Sequence, residues 1–207
     1  AEFLSLLTGT SLPVCYPVLE LQNLPFTPEQ EKQSFYVIVP AASINPKKWP
    51  TDNFAELAEK IYQRTNWNGV ICGTQKEHLL GEDILKKCTA PLKNMSGQTG
   101  LPELVGLVSQ SQLIISNDTG TAHIASAVGR STVCILGGGH FGRFAPYPDL
   151  PGQTKTFHSV YHKMACYGCN WECVYSLKKD EPAPCVSNIS VDAVWKEVEK
   201  LIEDGVK

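Results

Sequence analysis

Residues 112–139 read QLIISNDTGTAHIASAVGRSTVCILGGG. An apolar run (Leu113-Ile114-Ile115) ends in a turn that holds Asp118, Thr119 and Gly120. A helix-like stretch with His123 in its first turn follows, and then a second apolar run, Val133 to Leu136. Two apolar strands joined through a helix must run parallel, because a hairpin has no room for the helix, and such crossovers are right-handed. This stretch predicts one βαβ unit, and the rest of the chain can be read outward from it.

Upstream, FYVIVPA (35–41) is apolar throughout, as a strand covered on both faces must be. TDNFAELAEKIYQRT (51–65) puts Phe54, Leu57, Ala58 and Ile61 on one helical face, with Thr51 or Asp52 as its cap. GVICG (69–73) and LKNMSG (92–97) read as short strands. Residues 75–87 and LPELVGLVSQS (101–111) read as helices, the latter with Leu101, Leu104, Val105 and Val108 on one face. Downstream, residues 190–203 form an amphipathic helix capped by Ser190, with Val191, Val194, Trp195, Val198, Leu201 and Ile202 as its apolar stripe. The expected fold is α/β, a doubly wound, Rossmann-like parallel sheet. Residues 1–34 differ: EFLSLL resembles the tail of a helix, and Pro13, Pro17, Pro25 and Pro28 argue for an extended linker. The expected division is a linker over 1–34 and one domain over 35–207.

A chain of 207 residues suffices for one such domain with extra segments, or for two very small ones. The formal net charge of -3 gives no basic footprint, so nucleic acid is not an expected partner. No apolar stretch reaches bilayer length and no signal-peptide pattern opens the chain, which reads as cytoplasmic.

Ligands of open parallel sheets bind beyond the carboxyl ends of the strands, and three loops there are chemically unusual. In the first, a helix N-terminus presents unpaired N–H groups to an anion, Gly120 allows close approach, Thr119 adds a hydroxyl, and His123 reaches the same place. Asp118 would repel phosphate; it caps the helix, orders the loop or accepts from a ligand hydroxyl. An ordinary Asp/Thr cap with an exposed histidine is the competing reading. The second loop, PAASINPKKWP (40–50), has small residues around Ser43 and an ammonium at Lys47 or Lys48; a solvated lysine pair beside a packing tryptophan competes. In the third, GGGHFGRFAPY (137–147), four glycines around a His and an Arg suggest close backbone approach and mobility. Neither a GxGxxG nor a P-loop pattern occurs.

Cys72 and Cys134 sit in apolar runs, as small buried hydrophobes. Cys166, Cys169, Cys173 and Cys185 cluster within a Cys-rich segment, 158–186, with spacings that suit a structural tetrathiolate zinc. His158 or His162 is a substitute ligand. Disulfides, free thiols and an iron–sulfur cluster are the alternatives.

Taken in order, Lys47-Lys48-Trp49-Pro50, Asn117-Asp118-Thr119-Gly120-Thr121-Ala122-His123, and the Gly-rich turn before Ala145-Pro146-Tyr147 resemble the C-terminal half of glycosyltransferase family 9, the ADP-heptose:lipopolysaccharide heptosyltransferases. A cysteine cluster here also resembles one in part of that family. The resemblance implies a metal-independent GT-B enzyme whose C-terminal domain binds a nucleotide-sugar donor, ADP-heptose, with no catalytic cofactor. Ser43 and Lys47 are then expected on the donor phosphates and Thr119 and Gly120 on the pyrophosphate, with His123 close by. Asp118 is expected on the sugar or the loop, and Glu77 on the ribose. The general base and the lipid-linked saccharide acceptor belong to an N-terminal domain outside this chain, so no catalytic residue is expected here and the chain alone is expected to be inactive. The full-length enzyme is expected at the inner face of the inner membrane, as a peripheral protein. A GT-B-like sugar-nucleotide epimerase and a non-catalytic interaction module are the competing functions.

Overall fold

A computed structural model describes residues 2–11, 14–21 and 34–206. The apolar runs form β1 (Phe35–Val39), β2 (Asn68–Ile71), β3 (Leu92–Asn94), β4 (Leu113–Asn117) and β5 (Thr132–Ile135), and a sixth strand, β6 (Phe157–Val160), completes the sheet. The strand order is β3-β2-β1-β4-β5-β6 and every pairing is parallel. The doubly wound sheet expected from the sequence is present. Its order reverses between β1 and β4, and the crevice for a ligand opens there.

The two-residue period of the strands divides the core. Tyr36 and Ile38 of β1, Leu113 and Ile115 of β4, and Val133 and Ile135 of β5 pack on one face with α2 (Thr51–Thr65), α3 (His78–Lys87) and α7 (Val191–Glu203). Val37, Val39 and Ile114 turn to the other, against Leu107 and Val108 of α4 (Leu101–Gln110) and Ala125 of α5 (Gly120–Ala127). Helix α2 buries Phe54, Leu57, Ala58 and Ile61, the face its spacing predicts.

Two local expectations change. The sequence reading assigned no strand at 157–160, yet β6 pairs with β5 from Thr132↔Phe157 to Ile135↔Val160. His158 hides its strand character: it is bonded to Glu197 of α7 at 2.8 Å, a partner that local pattern does not reveal. The cap of α2 is neither Thr51 nor Asp52. Pro50 holds that position without a side-chain bond, and the Thr51 hydroxyl donates instead to Asp83 Oδ2 at 2.5 Å. At α7, by contrast, Ser190 Oγ accepts from the Ala193 N–H as expected.

The helix tail expected at the start is α1 (Glu2–Thr8). Residues 14–21 carry no helix or strand and lie against the domain: the Tyr16 hydroxyl donates to the Pro148 carbonyl at 2.8 Å, and the Leu19 N–H to the Ala127 carbonyl at 2.7 Å. Pro13, Pro25 and Pro28 fall outside the described residues. No helix among the described residues is long and apolar enough to cross a membrane.

Candidate functional site

At the carboxyl edge of the sheet, the loops after β1, β2, β4 and β5 enclose a pocket of about 760 Å³. Ser43, Lys47, Glu77, Asp118, Thr119, Gly120 and His123 all line it. Lys48 does not; its ammonium turns to Asn45 Oδ1 at 2.7 Å.

The turn after β4 settles the choice between a cap and an open helix end. Thr119 stands at the N-cap of α5 but makes no side-chain cap bond; its hydroxyl is 3.2 Å from Ser116 Oγ. Asp118 does not cap either. Its Oδ2 lies 2.8 Å from Lys47 Nζ, and its Oδ1 lies 3.9 Å from His123 Nε2. A Cβ added at Gly120 would have no atom within 4 Å. The N-terminus of α5 therefore faces the pocket uncapped, with its partial positive charge and its first N–H groups unmasked by any side chain among the described residues.

Lys47 ends a short 3₁₀ turn, Asn45–Lys47, that is tied from two sides. From β4, the buried Asn117 amide donates to the Pro40 carbonyl at 2.6 Å and accepts from the Trp49 N–H at 3.2 Å. From the far side, the Asn45 amide donates to the Lys179 carbonyl, and the Ala183 N–H to that of Pro46, both at 3.0 Å. The ammonium also lies 5.6 Å from the centroid of the Trp171 ring, a cation–π distance. His123 is held by its own contacts. Nδ1 is 2.9 Å from the Tyr147 hydroxyl, and the ring stacks on Phe157 with centroids 5.1 Å apart. Burial pushes the His123 pKa below its ordinary value, with Asp118 pulling the other way, so the imidazole is neutral at pH 7. Glu77 has a structural duty as well: its Oε2 accepts from the Thr74 N–H at 2.6 Å in a capping box.

The Gly-rich loop behaves differently from expectation. Three of its four glycines are needed because aromatic rings lie on them. A Cβ on Gly137 or Gly139 would come within 2.4 Å of Trp171, and one on Gly138 within 2.3 Å of Tyr167. Tyr167 and Trp171 come from the Cys-rich segment, which also bonds back to the loop: the Gly168 N–H donates to Gly138 O and the Asn170 N–H to Gly139 O, both at 2.9 Å. These bonds and rings pin the loop to the Cys-rich segment.

Cys166, Cys169, Cys173 and Cys185 line one small cavity of about 10 Å³ beneath those rings, and all four are free thiols. Among the described residues, no three His, Cys, Asp or Glu side chains are gathered closely enough to hold a metal ion. The fold thus brings the four cysteines to one place without arranging them as a ligand set. His158, a suggested substitute ligand, is occupied by Glu197. Cys185 is pushed up by burial, against the Gly138 N–H that donates to its sulfur at 3.3 Å.

The model of glycosyltransferase family 9 (heptosyltransferase) matches residues 5–170. The chain belongs to glycosyltransferase family 9. It is 33% identical over 134 residues to lipopolysaccharide heptosyltransferase 2 of Escherichia coli K12, covering 60% of this chain and 37% of the relative. To the lipopolysaccharide core heptosyltransferase OpsX of Haemophilus influenzae it is 32% identical over 131 residues, 62% of this chain and 36% of the relative. The chain thus spans well under half the length of these curated relatives. Among solved structures, the E. coli ADP-heptose heptosyltransferase II superposes with a TM-score of 0.70 at 20% identity, over 96% of this chain and 57% of that one. The iron-containing dodecameric glycosyltransferase TibC of enterotoxigenic E. coli gives 0.63 at 17% identity, over 94% of this chain and 52% of that one. These likenesses establish the Rossmann-like fold of a GT-B half.

Two residues of this family 9 chain were not assigned to the site from sequence. Asn117 ties the Lys47 loop to the α5 turn; the signal was an amide ending a buried strand that opens Leu113-Ile114-Ile115. His140 also lines the pocket, with Nε2 2.9 Å from Asn170 Oδ1. It was visible in the Gly-rich loop but had no spacing to mark it.

Proposed function

We propose that the pocket binds the nucleotide-sugar donor of a heptosyltransferase, with ADP-heptose as donor and its diphosphate on the N-terminus of α5. The uncapped helix end, opening onto Gly120, carries this reading. Phosphate oxygens there accept from the first N–H groups of α5 and the Thr119 hydroxyl, flanked by Lys47 and His123. Ser43 bounds the phosphate side, and Glu77, across the pocket, fits a ribose hydroxyl. Asp118 stays on Lys47 and His123 and orders both. As the glycosidic bond breaks, charge grows on the departing diphosphate, and donors already fixed in place stabilise it.

In this reading residues 35–207 are the C-terminal donor domain of a metal-independent GT-B enzyme and 1–34 lead from its N-terminal domain. That domain supplies the general base and binds a lipid-linked saccharide of lipopolysaccharide type at the inner face of the inner membrane. The relatives' names support heptose and lipopolysaccharide. The four cysteines are proposed as a structural site: soft thiolates in one cavity suit zinc, and a metal would have to turn the four sulfurs toward one point. TibC's iron makes iron the competing ion.

Calorimetric titration with ADP, ADP-heptose and UDP-sugars tests the reading, with zinc and iron determined on the same sample. Selective binding of the adenine nucleotides and one equivalent of metal are expected. Binding of no nucleotide, or of UDP-sugars only, would remove the donor assignment; a metal-free sample would remove the structural site.

A further inference from the structure

We propose that Tyr147 is a positioning residue of this pocket: its hydroxyl fixes His123 as the neutral tautomer protonated at Nε2, and so aims an N–H at the anion. The inference rests on the donor-site reading for its ligand, but its geometry stands apart from it. A neutral imidazole has one donor and one acceptor. At Nδ1, 2.9 Å away, stands a phenol, which can donate or accept. At Nε2, Asp118 Oδ1 stands 3.9 Å away, a carboxylate oxygen that only accepts. A proton on Nε2 suits that carboxylate and a phosphate alike, whereas a proton on Nδ1 would turn a lone pair toward both. The phenol then donates to Nδ1.

Tyr147 is itself held in place. Its ring stacks on Phe157 at 4.4 Å and on Tyr16 at 6.1 Å, with interplanar angles of 15° and 18°. Tyr16 is anchored in turn by the Pro148 carbonyl. The hydroxyl therefore reaches His123 from a fixed support, and Tyr147→Phe removes the bond while leaving the stack.

The test is two-bond ¹H–¹⁵N correlation spectroscopy of the ¹⁵N-histidine-labelled chain at pH 7.5 without nucleotide, on the unaltered protein and on Tyr147→Phe, followed by ADP titration of both. His123 is expected to show a protonated Nε2 and an unprotonated Nδ1. In Tyr147→Phe that pattern is expected to give way to a mixture of tautomers, with ADP affinity reduced about three- to tenfold, the usual range for one hydrogen bond. A proton on Nδ1 in the unaltered chain, an unchanged tautomer in Tyr147→Phe, or unchanged ADP affinity would each overturn the proposal. Failure of the donor-site reading looks different: the unaltered chain would bind no ADP while the tautomer still responded to the substitution.

Discussion

The turn after β4 and the loop after β5 leave neighbouring strands at the same edge of the sheet, and both carry glycine. Gly120 borders empty space, on a helix end that no side chain caps. Gly137, Gly138 and Gly139 lie under the rings of Trp171 and Tyr167, with no room for a methyl group. One glycine keeps a surface open, whereas the other three let a second segment of the chain close down. A glycine-rich loop next to a pocket is therefore not a phosphate loop by virtue of its glycines. What lies where the Cβ would be is the deciding observation.

Lys47 stands between the two regions, paired with Asp118 of the open turn and set over Trp171, which covers the closed loop. Its removal should have the largest effect. Lys47→Ala leaves the Asp118 carboxylate buried and uncompensated, which should cost about 3 kcal/mol, the lower end for a broken buried pair. Adding Asp118→Asn should restore most of that stability without restoring ADP affinity, a result read by urea denaturation and calorimetry. If Lys47→Ala alone is as stable as the unaltered chain, the pair does not tie the two regions together.

Next in size is the closed loop. Gly138→Ala drives a methyl group into the Tyr167 ring and should destabilise the chain by about 1–3 kcal/mol, the range for overpacking, read as a lower denaturation midpoint. An unchanged midpoint would mean that the Cys-rich segment yields freely and does not brace the pocket.

The smallest effect concerns His123. Unfolded, it titrates near its ordinary value of about 6.5; folded, burial holds it lower. Between the two values the unfolded chain binds more protons, so stability is full above about pH 6.5 and falls as pH drops through the folded value. His123→Gln should flatten that part of a thermal-stability profile between pH 7.5 and 5.5. A profile unchanged by the substitution would show that His123 is not held neutral by burial.

Much of this architecture is legible in sequence because it rests on local pattern. The apolar runs at 35–39, 113–115 and 133–136 are buried on both faces, and Phe54, Leu57, Ala58 and Ile61 repeat with the helical period. The pocket residues were legible for two other reasons: ligands of open parallel sheets bind beyond the carboxyl ends of the strands, and the motifs that carry these residues resemble those of family 9. What stayed hidden depends on partners distant in sequence. His158 finds Glu197, Asn117 finds Pro40 and Trp49, and the three glycines find Tyr167 and Trp171. The cysteine spacing brought four thiols to one cavity, but spacing alone does not orient sulfurs.

The central claim is that the N-terminus of α5 is kept open for a phosphate, and Gly120→Ala tests it most directly. The methyl group meets no protein atom, and alanine in the first turn of a helix should leave the melting temperature unchanged or raise it, by the equivalent of about 0.4–1 kcal/mol. ADP titration of the same variant should show affinity reduced at least about tenfold, or 1.4 kcal/mol, because the methyl group occupies the approach of the phosphate oxygens. Equal ADP affinity in Gly120→Ala and the unaltered chain would contradict the account, because the open turn would then not be where the phosphate sits.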